Sequence, residues 1–223
     1  MNVVLVTRRQ AVARLLCVPG LAAGFVGVPA RAEASAPAAA EAETIGRMRK
    51  LHEQRKWKEL VAQFQGQDFA GWPNPGEAFH LRGQAYASLK DAVHAEQDLK
   101  TAIARSPQNA YIWYSLGEVY RELVRDDARA LESYAKAFAL AGKSASWMPI
   151  SATLHSADIL LHQLKTDAAM EVLKRYGEED LRKLPPIWRV QALRAHGRVL
   201  AAQGREQEAL ARFKEALDLD RRQ

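Results

Sequence analysis

At 223 residues, with 48% hydrophobic and 26% charged residues, the chain suffices for one large or two small globular units and has an ordinary soluble composition. Its net charge of +6 is front-loaded: Arg8, Arg9, Arg14 and Arg31 all precede the first acidic residue, Glu33, and taking these four from +6 leaves +2. That remainder argues against nucleic-acid binding, and because the only cysteine, Cys17, lies in the same stretch, the rest of the chain has no thiol for a disulfide, a metal or a nucleophile.

Residues 1–32 combine a basic start, an uncharged run from Leu15 to Ala30, and small residues at Ala30 and Ala32 in the A-x-A form accepted by signal peptidases. They are expected to be a cleavable secretory signal cut after Ala32. The apolar run is interrupted by Pro19, Gly20, Gly24 and Gly27 and is short for a membrane span, so no stable span is expected after processing. Thr7, Arg8 and Arg9 resemble the start of a twin-arginine signal, which implies export of a folded chain, although Ala11 and Val12 stand where that motif has a large apolar pair. General secretory export therefore stays open, as does a lipid on Cys17, against which the "RLLC" context weighs. The alanine-rich stretch 33–44 reads as a linker or the frayed start of a helix.

From residue 45 the pattern is helical. "IGRMRKLHEQRKWKELVAQF" spaces Met48, Leu51, Leu60 and Phe64 on apolar faces, with Trp57 at a turn, and "GWPNPGEA" then breaks the helix. Gly83 is followed by Tyr86, Ala95, Leu99 and Ala102 at offsets of 3, 12, 16 and 19, and Gly197 is followed by Leu200, Ala209, Phe213 and Ala216 at the same offsets. Gly117 lies 34 residues beyond Gly83, with Trp113 before it and Tyr120 after it; its partners Ala130, Tyr134 and Ala137 come one residue late. In the segment from 151, Asp158 is placed at the glycine position, with Ala169 and Leu173 on the second helix.

"WYSLGEVY", "ALARF" and "SPQNA" resemble the W-x₂-L-G-x₂-Y, A-x₃-F and late-proline pattern of the tetratricopeptide repeat, a helix-turn-helix unit of 34 residues. The resemblance implies an all-α, right-handed α-solenoid of about five repeats, near 45–70, 76–109, 110–144, 151–184 and 190–223, the first and fourth degenerate. Neighbouring hairpins would close one continuous core, with glycine and alanine where helices approach most closely. The long connections "AGKSASWMPI" and "GEEDLRKLPP" depart from the tight family turn, and Trp147 and Met148 are expected to pack in an ordered loop over the core, in preference to a binding loop.

In this family the first helices of successive repeats line a concave groove that holds an extended peptide or a partner's helix. Transferred to this sequence, the resemblance places His80, Gln84, Tyr111, Tyr114, Glu118, Arg121, His155, His162, Arg194 and Arg198 on that surface. Tyrosine and arginine concentrate interface energy, and Arg194 and Arg198, one turn apart, suit a carboxylate. The asparagines of the carboxylate-clamp subfamily are missing at the matching positions.

The sequence contains no H-E-x-x-H, G-x-S-x-G, P-loop or G-x-G-x-x-G motif, so no enzyme, cofactor or metal site is expected. His155 and His162 share a helix face but sit seven residues, about 10.5 Å, apart, too far to hold one metal ion unaided. The leading expectation is a periplasmic or secreted scaffold with a protein or peptide partner. The alternative is an accessory subunit or assembly factor of an exported oxidoreductase or cell-wall enzyme. RNA reading by helical repeats is disfavoured by the export signal and the low remaining charge.

Overall fold

The computed structural model describes residues 36–143 and 146–221, all of them in helices or short connections, with no strand among them. The expected signal segment, with Cys17, lies outside the described residues, and none of the described helices is long and apolar enough to cross a membrane.

Among the described residues eleven α-helices follow one another: α1 (Ala36–Glu53), α2 (Trp57–Phe64), α3 (Gly76–Ser88), α4 (Ala92–Arg105), α5 (Ala110–Val119), α6 (Asp127–Ala141), α7 (Trp147–His162), α8 (Thr166–Leu173), α9 (Glu178–Lys183), α10 (Pro186–Ala202) and α11 (Glu206–Asp220). Five hairpins result: α1 with α2, α3 with α4, α5 with α6, α7 with α8, and α10 with α11. The first helices also pack in series, α1 on α3, α3 on α5, α5 on α7 and α7 on α10. This is a tetratricopeptide-like solenoid.

Helix α1 begins at Ala36, inside the stretch expected to be a linker or the frayed start of a helix, because Glu41 and Thr44 turn inward with Ile45 and Met48. The carboxylate of Glu41 accepts a bond from the Asn74 backbone N–H (3.1 Å), which ties α1 to the turn before α3. The connection after α8, expected only to depart from the tight family turn, forms the short helix α9, whose Leu181 is buried. Trp147 is the first residue of α7 rather than part of a loop.

The spacing of small residues has its physical basis in the hairpin seams. A Cβ built on Gly83 would lie 3.0 Å from Leu99 Cγ, one on Gly117 would lie 2.7 Å from the Tyr134 ring, and one on Gly197 would lie 2.5 Å from the Phe213 ring. Ala95, Ala130 and Ala209 are buried on the facing helices. The same comparison corrects the fourth hairpin. Ala157, not Asp158, occupies the close-approach position: it is 2% exposed and packs in one cluster with Ala169 and Leu173, while Asp158 stays part-exposed one residue further round α7. The register is shifted by one because alanine fills the seam and the glycine signal is absent.

The late partners of Gly117 also have a local cause. After Val119, α5 widens into a π-helical turn at Tyr120–Val124. In the second, fourth and fifth hairpins the first helix closes through a six-residue loop, as in Asp91 N–H to Tyr86 C=O (3.0 Å), Lys165 to Leu160 (2.9 Å) and Arg205 to Leu200 (2.9 Å). In the third, Asp126 N–H reaches back to Tyr120 C=O (2.9 Å), one residue more. The inserted residue is thus absorbed in a single turn.

These closures hold a residue in the left-handed region: Lys90 (φ 66°), Arg125 (φ 60°), Leu164 (φ 60°) and Gly204 (φ 75°). Leu164 has a Cβ, which disfavours this conformation, and its side chain is 85% exposed, so it gains little by packing. Leu164→Gly is expected to raise stability by roughly 0.5–1 kcal/mol, the relief exceeding the added freedom of the unfolded chain. An unchanged or lower urea midpoint would reject that account.

The fully buried residues of the core fall into several clusters. One cluster runs from Ile45 through the first three hairpins to Ala152 and Ile159 of α7; Ala157 joins α8, α10 and α11; and Ile150 joins the α9 region. Helix α7 is the junction. It also buries Ser151, Thr153 and Ser156, and Thr153 and Ser156 donate to their own helix at Pro149 C=O (2.9 Å) and Ala152 C=O (2.8 Å). Leu154 of the same helix packs against both the Ala157 and the Ile150 clusters, which bridges them on α7.

Candidate protein-binding groove

The inner face of the stack is built from every third or fourth residue of the first helices. On α5 these are Tyr111, Tyr114, Ser115 and Glu118; on α7, Leu154, Asp158 and Leu161; on α10, Gln191, Arg194 and Arg198. Two cavities of about 260 Å³ open on this face. The first lies along α5 and is lined by Gln84, Tyr111, Tyr114, Ser115, Glu118 and Trp147, among others. The second, between α7 and α10, is lined by Leu154, His155, Asp158, Leu161, Arg194 and Arg198, among others.

A polar chain joins them. Tyr114 Oη and Ser151 Oγ are 2.9 Å apart, and Ser151 Oγ is 3.1 Å from His155 Nε2. His155 Nε2 in turn lies 3.6 Å from Glu118 Oε1. The Tyr134 hydroxyl donates to Glu118, and Arg121 Nε donates to the Tyr134 oxygen (3.1 Å). Arg121 bridges two carboxylates, at 3.2 Å from Glu118 and 2.6 Å from Glu122. Burial, reinforced by the Glu118 charge, pushes the Tyr114 hydroxyl up to about 12, and the same two causes push Tyr134 up, so both remain protonated. Burial lowers His155 below the usual imidazole range, leaving it uncharged at neutral pH.

Of the residues expected in the groove, the structure brings Gln84, Tyr111, Tyr114 and Glu118 to the first cavity and His155, Arg194 and Arg198 to the second, while Arg121 lies behind them as a bridge. His80 is packed between α3 and α5, with Nε2 2.9 Å from Ser115 Oγ and its pKa lowered to about 4 by burial, so it supports the groove wall. His162 does not belong with them. Its side chain is 76% exposed at the end of α7 and it lines neither cavity, since the one-residue shift in register gives its place to Leu161. Arg194 and Arg198 do not act as a free pair either: the Arg198 guanidinium already pairs with the Asp158 carboxylate.

Sequence reasoning set Trp147 in a loop over the core and not in the groove, where it faces Tyr114 edge-on (5.3 Å between centroids, 88°) and lies 6.1 Å from Tyr111. It also missed the partnership of Asp158 with Arg198. The spacing of Ala157 to Leu173, equal to that of Gly83 to Leu99, was the signal that places Asp158 on the inner face.

Residues 76–109 match the family model described as Tetratricopeptide repeat. No curated protein matches the sequence. Among solved structures, MamA MSR-1 superposes with a TM-score of 0.62 at 21% identity, covering 79% of this chain and 94% of that one. MamA AMB-1 gives 0.64 at 19% identity over 80% and 98%. BtubC (BKLC) from P. vanneervenii gives 0.58 at 18% identity over 80% and 75%. At these identities the likeness is one of fold. Residues 76–109 thus match one tetratricopeptide repeat, and the seams at Gly117, Ala157 and Gly197 continue the same hairpin packing through a solenoid of tetratricopeptide-like fold.

Proposed function

We propose that the chain is an exported scaffold whose concave groove holds an extended segment or a helix of a protein partner. The observation that carries this reading is the pair of cavities on one inner face, furnished with Tyr111, Tyr114, Trp147, Arg194 and Arg198. Tyrosine, tryptophan and arginine are the side chains that concentrate binding energy at interfaces. The repeat fold supports a protein partner, and the secretory pattern of residues 1–32 supports a location outside the cytoplasm, in the periplasm or beyond.

Tyr114→Ala combined with Arg198→Glu is expected to weaken capture of the native partner at least about tenfold in pull-downs from the cell envelope, by loss of one anchor in each cavity. Retention of every co-purifying protein at unchanged stoichiometry would show that the groove is not the working surface. Sequencing the mature N-terminus from the same sample tests cleavage after Ala32. A stoichiometric enzyme among the captured proteins would favour the accessory-subunit reading.

A further inference from the structure

The cavity along α5 has a composition that selects for charge. Tyr111, Tyr114, Ser115 and Glu118 follow the i, i+3, i+4, i+7 spacing and share one face of α5, with about 10.5 Å of helix rise from Tyr111 to Glu118. Trp147, 44% exposed, and Tyr111, also 44% exposed, stand at one end with Tyr114 behind them. Glu118 stands at the other end with its side chain 32% exposed.

Aromatic faces carry negative quadrupole density, and a carboxylate at the far end adds to the same sign. No lysine, arginine or second carboxylate lines this cavity among the described residues. Arg121 touches Glu118 from behind but also pairs with Glu122, so one cation is shared between two carboxylates and a single negative charge is left over. Glu118 receives the Tyr134 hydroxyl on Oε1 and Arg121 on both oxygens, which leaves room on Oε2, since a carboxylate has about four acceptor sites. The neighbouring imidazoles do not cancel the charge. His52 in the cavity wall, His80 behind it and His155 beside Glu118 all have their pKa lowered by burial and are neutral at pH 7.

We propose that this cavity is a cation-accepting pocket: the alkyl stem of a lysine or arginine side chain from the bound segment lies against Tyr111, Tyr114 and Trp147, and its charged head meets the Glu118 carboxylate. The proposal rests on the groove reading and names the chemistry that one half of the groove recognises. The other half, at Arg194, has the opposite sign, so a bound segment is held in one direction, with its basic residue toward α5.

The test is titration of the folded protein, at matched ionic strength, with n-butylammonium and n-propylguanidinium as stand-ins for the two side chains and with 1-butanol as the neutral comparator. Shifts of the Trp147 indole N–H and of the Ser115 and Glu118 amides are followed by NMR. Both cations are expected to saturate below about 100 mM, and 1-butanol to bind at least about tenfold more weakly. Trp147→Leu and Glu118→Gln are each expected to weaken cation binding about tenfold, read at Ser115; Trp147 is half-exposed, so its variant tests the pocket without disturbing the core. Equal shifts from 1-butanol, or no saturation by either cation, would overturn the proposal.

A lysine pentapeptide is expected to bind about tenfold more tightly than its norleucine counterpart; binding of the free amines without that preference would assign the pocket to a small soluble amine and overturn the side-chain source. The two readings fail separately. Saturation by butylammonium with the partner retained by Tyr114→Ala with Arg198→Glu removes the groove reading alone. Loss of the partner in that variant without charge discrimination in the pocket removes this one alone.

Discussion

Asp98→Ala is expected to destabilise the protein by about 3–5 kcal/mol, the largest effect of any single side-chain truncation proposed for this chain. Asp98 and Arg82 form a two-pronged pair, Nε to Oδ2 at 2.7 Å and Nη2 to Oδ1 at 2.8 Å, with side chains 8% and 10% exposed. Arg82 also donates to the C=O of Phe64, the last residue of α2 (2.8 Å), and to Gln67 C=O beyond it (2.9 Å), and its guanidinium lies 4.8 Å from the Phe69 ring. The pair therefore fastens the α3–α4 hairpin to the first hairpin, through a fully buried Phe69. Removing the carboxylate leaves a guanidinium in a dry site with two carbonyls and no counter-charge, and desolvation then dominates. Denaturant unfolding followed by circular dichroism measures the loss. Arg82→Met combined with Asp98→Leu is expected to recover most of it, because an apolar pair of similar volume has no charge to desolvate. A loss below about 1 kcal/mol in the single variant would mean that water reaches the site and screens the pair.

Gly117→Ala and Gly197→Ala are expected to differ, although the added methyl would meet an aromatic ring in both. The Tyr134 ring, 2.7 Å from the new Cβ, is fully buried, and its hydroxyl is fixed by Glu118 and Arg121, so it has nowhere to go. Overpacking of that kind costs about 1–3 kcal/mol, against a gain of about 1 kcal/mol in helix propensity. Because the ring is held on two sides, the upper part of that range applies and the net loss is about 2 kcal/mol. Phe213 is 37% exposed on the last helix and can swing outward, so Gly197→Ala is expected to be close to neutral. Equal losses in the two variants, measured by the same unfolding experiment, would show that the facing ring is not what demands glycine.

The hairpin architecture was legible because the close-approach residues are chemically unusual: a glycine inside an apolar helix is costly unless something presses against it, and three of them recur at comparable places. Where that signal was missing, legibility failed by one residue. Ala157 is too common a helix residue to stand out, and the resulting shift moved His162 onto the groove and Leu154 and Leu161 off it. The first helix was cut short for a related reason: an alanine-rich stretch resembles a linker, and only the inward turn of Glu41 and Thr44 shows that Ala36–Thr44 is part of the first hairpin. Half of the groove was readable from the positions of Tyr111, Tyr114 and Glu118 on α5. Trp147 was not, because it approaches them from a different repeat, and contacts between repeats have no fixed spacing along the chain.

The π-helical turn at Tyr120–Val124 bears on how such arrays change length. One additional residue in an ordinary helix would rotate everything after it by about 100° and turn Tyr134 away from its seam. Here the widened turn takes up that rotation before α6 starts, and the ring still meets Gly117. Hairpins of this chain therefore keep step through surfaces that touch rather than through a constant number of residues, and an insertion is tolerated wherever a carbonyl can reach one amide further along.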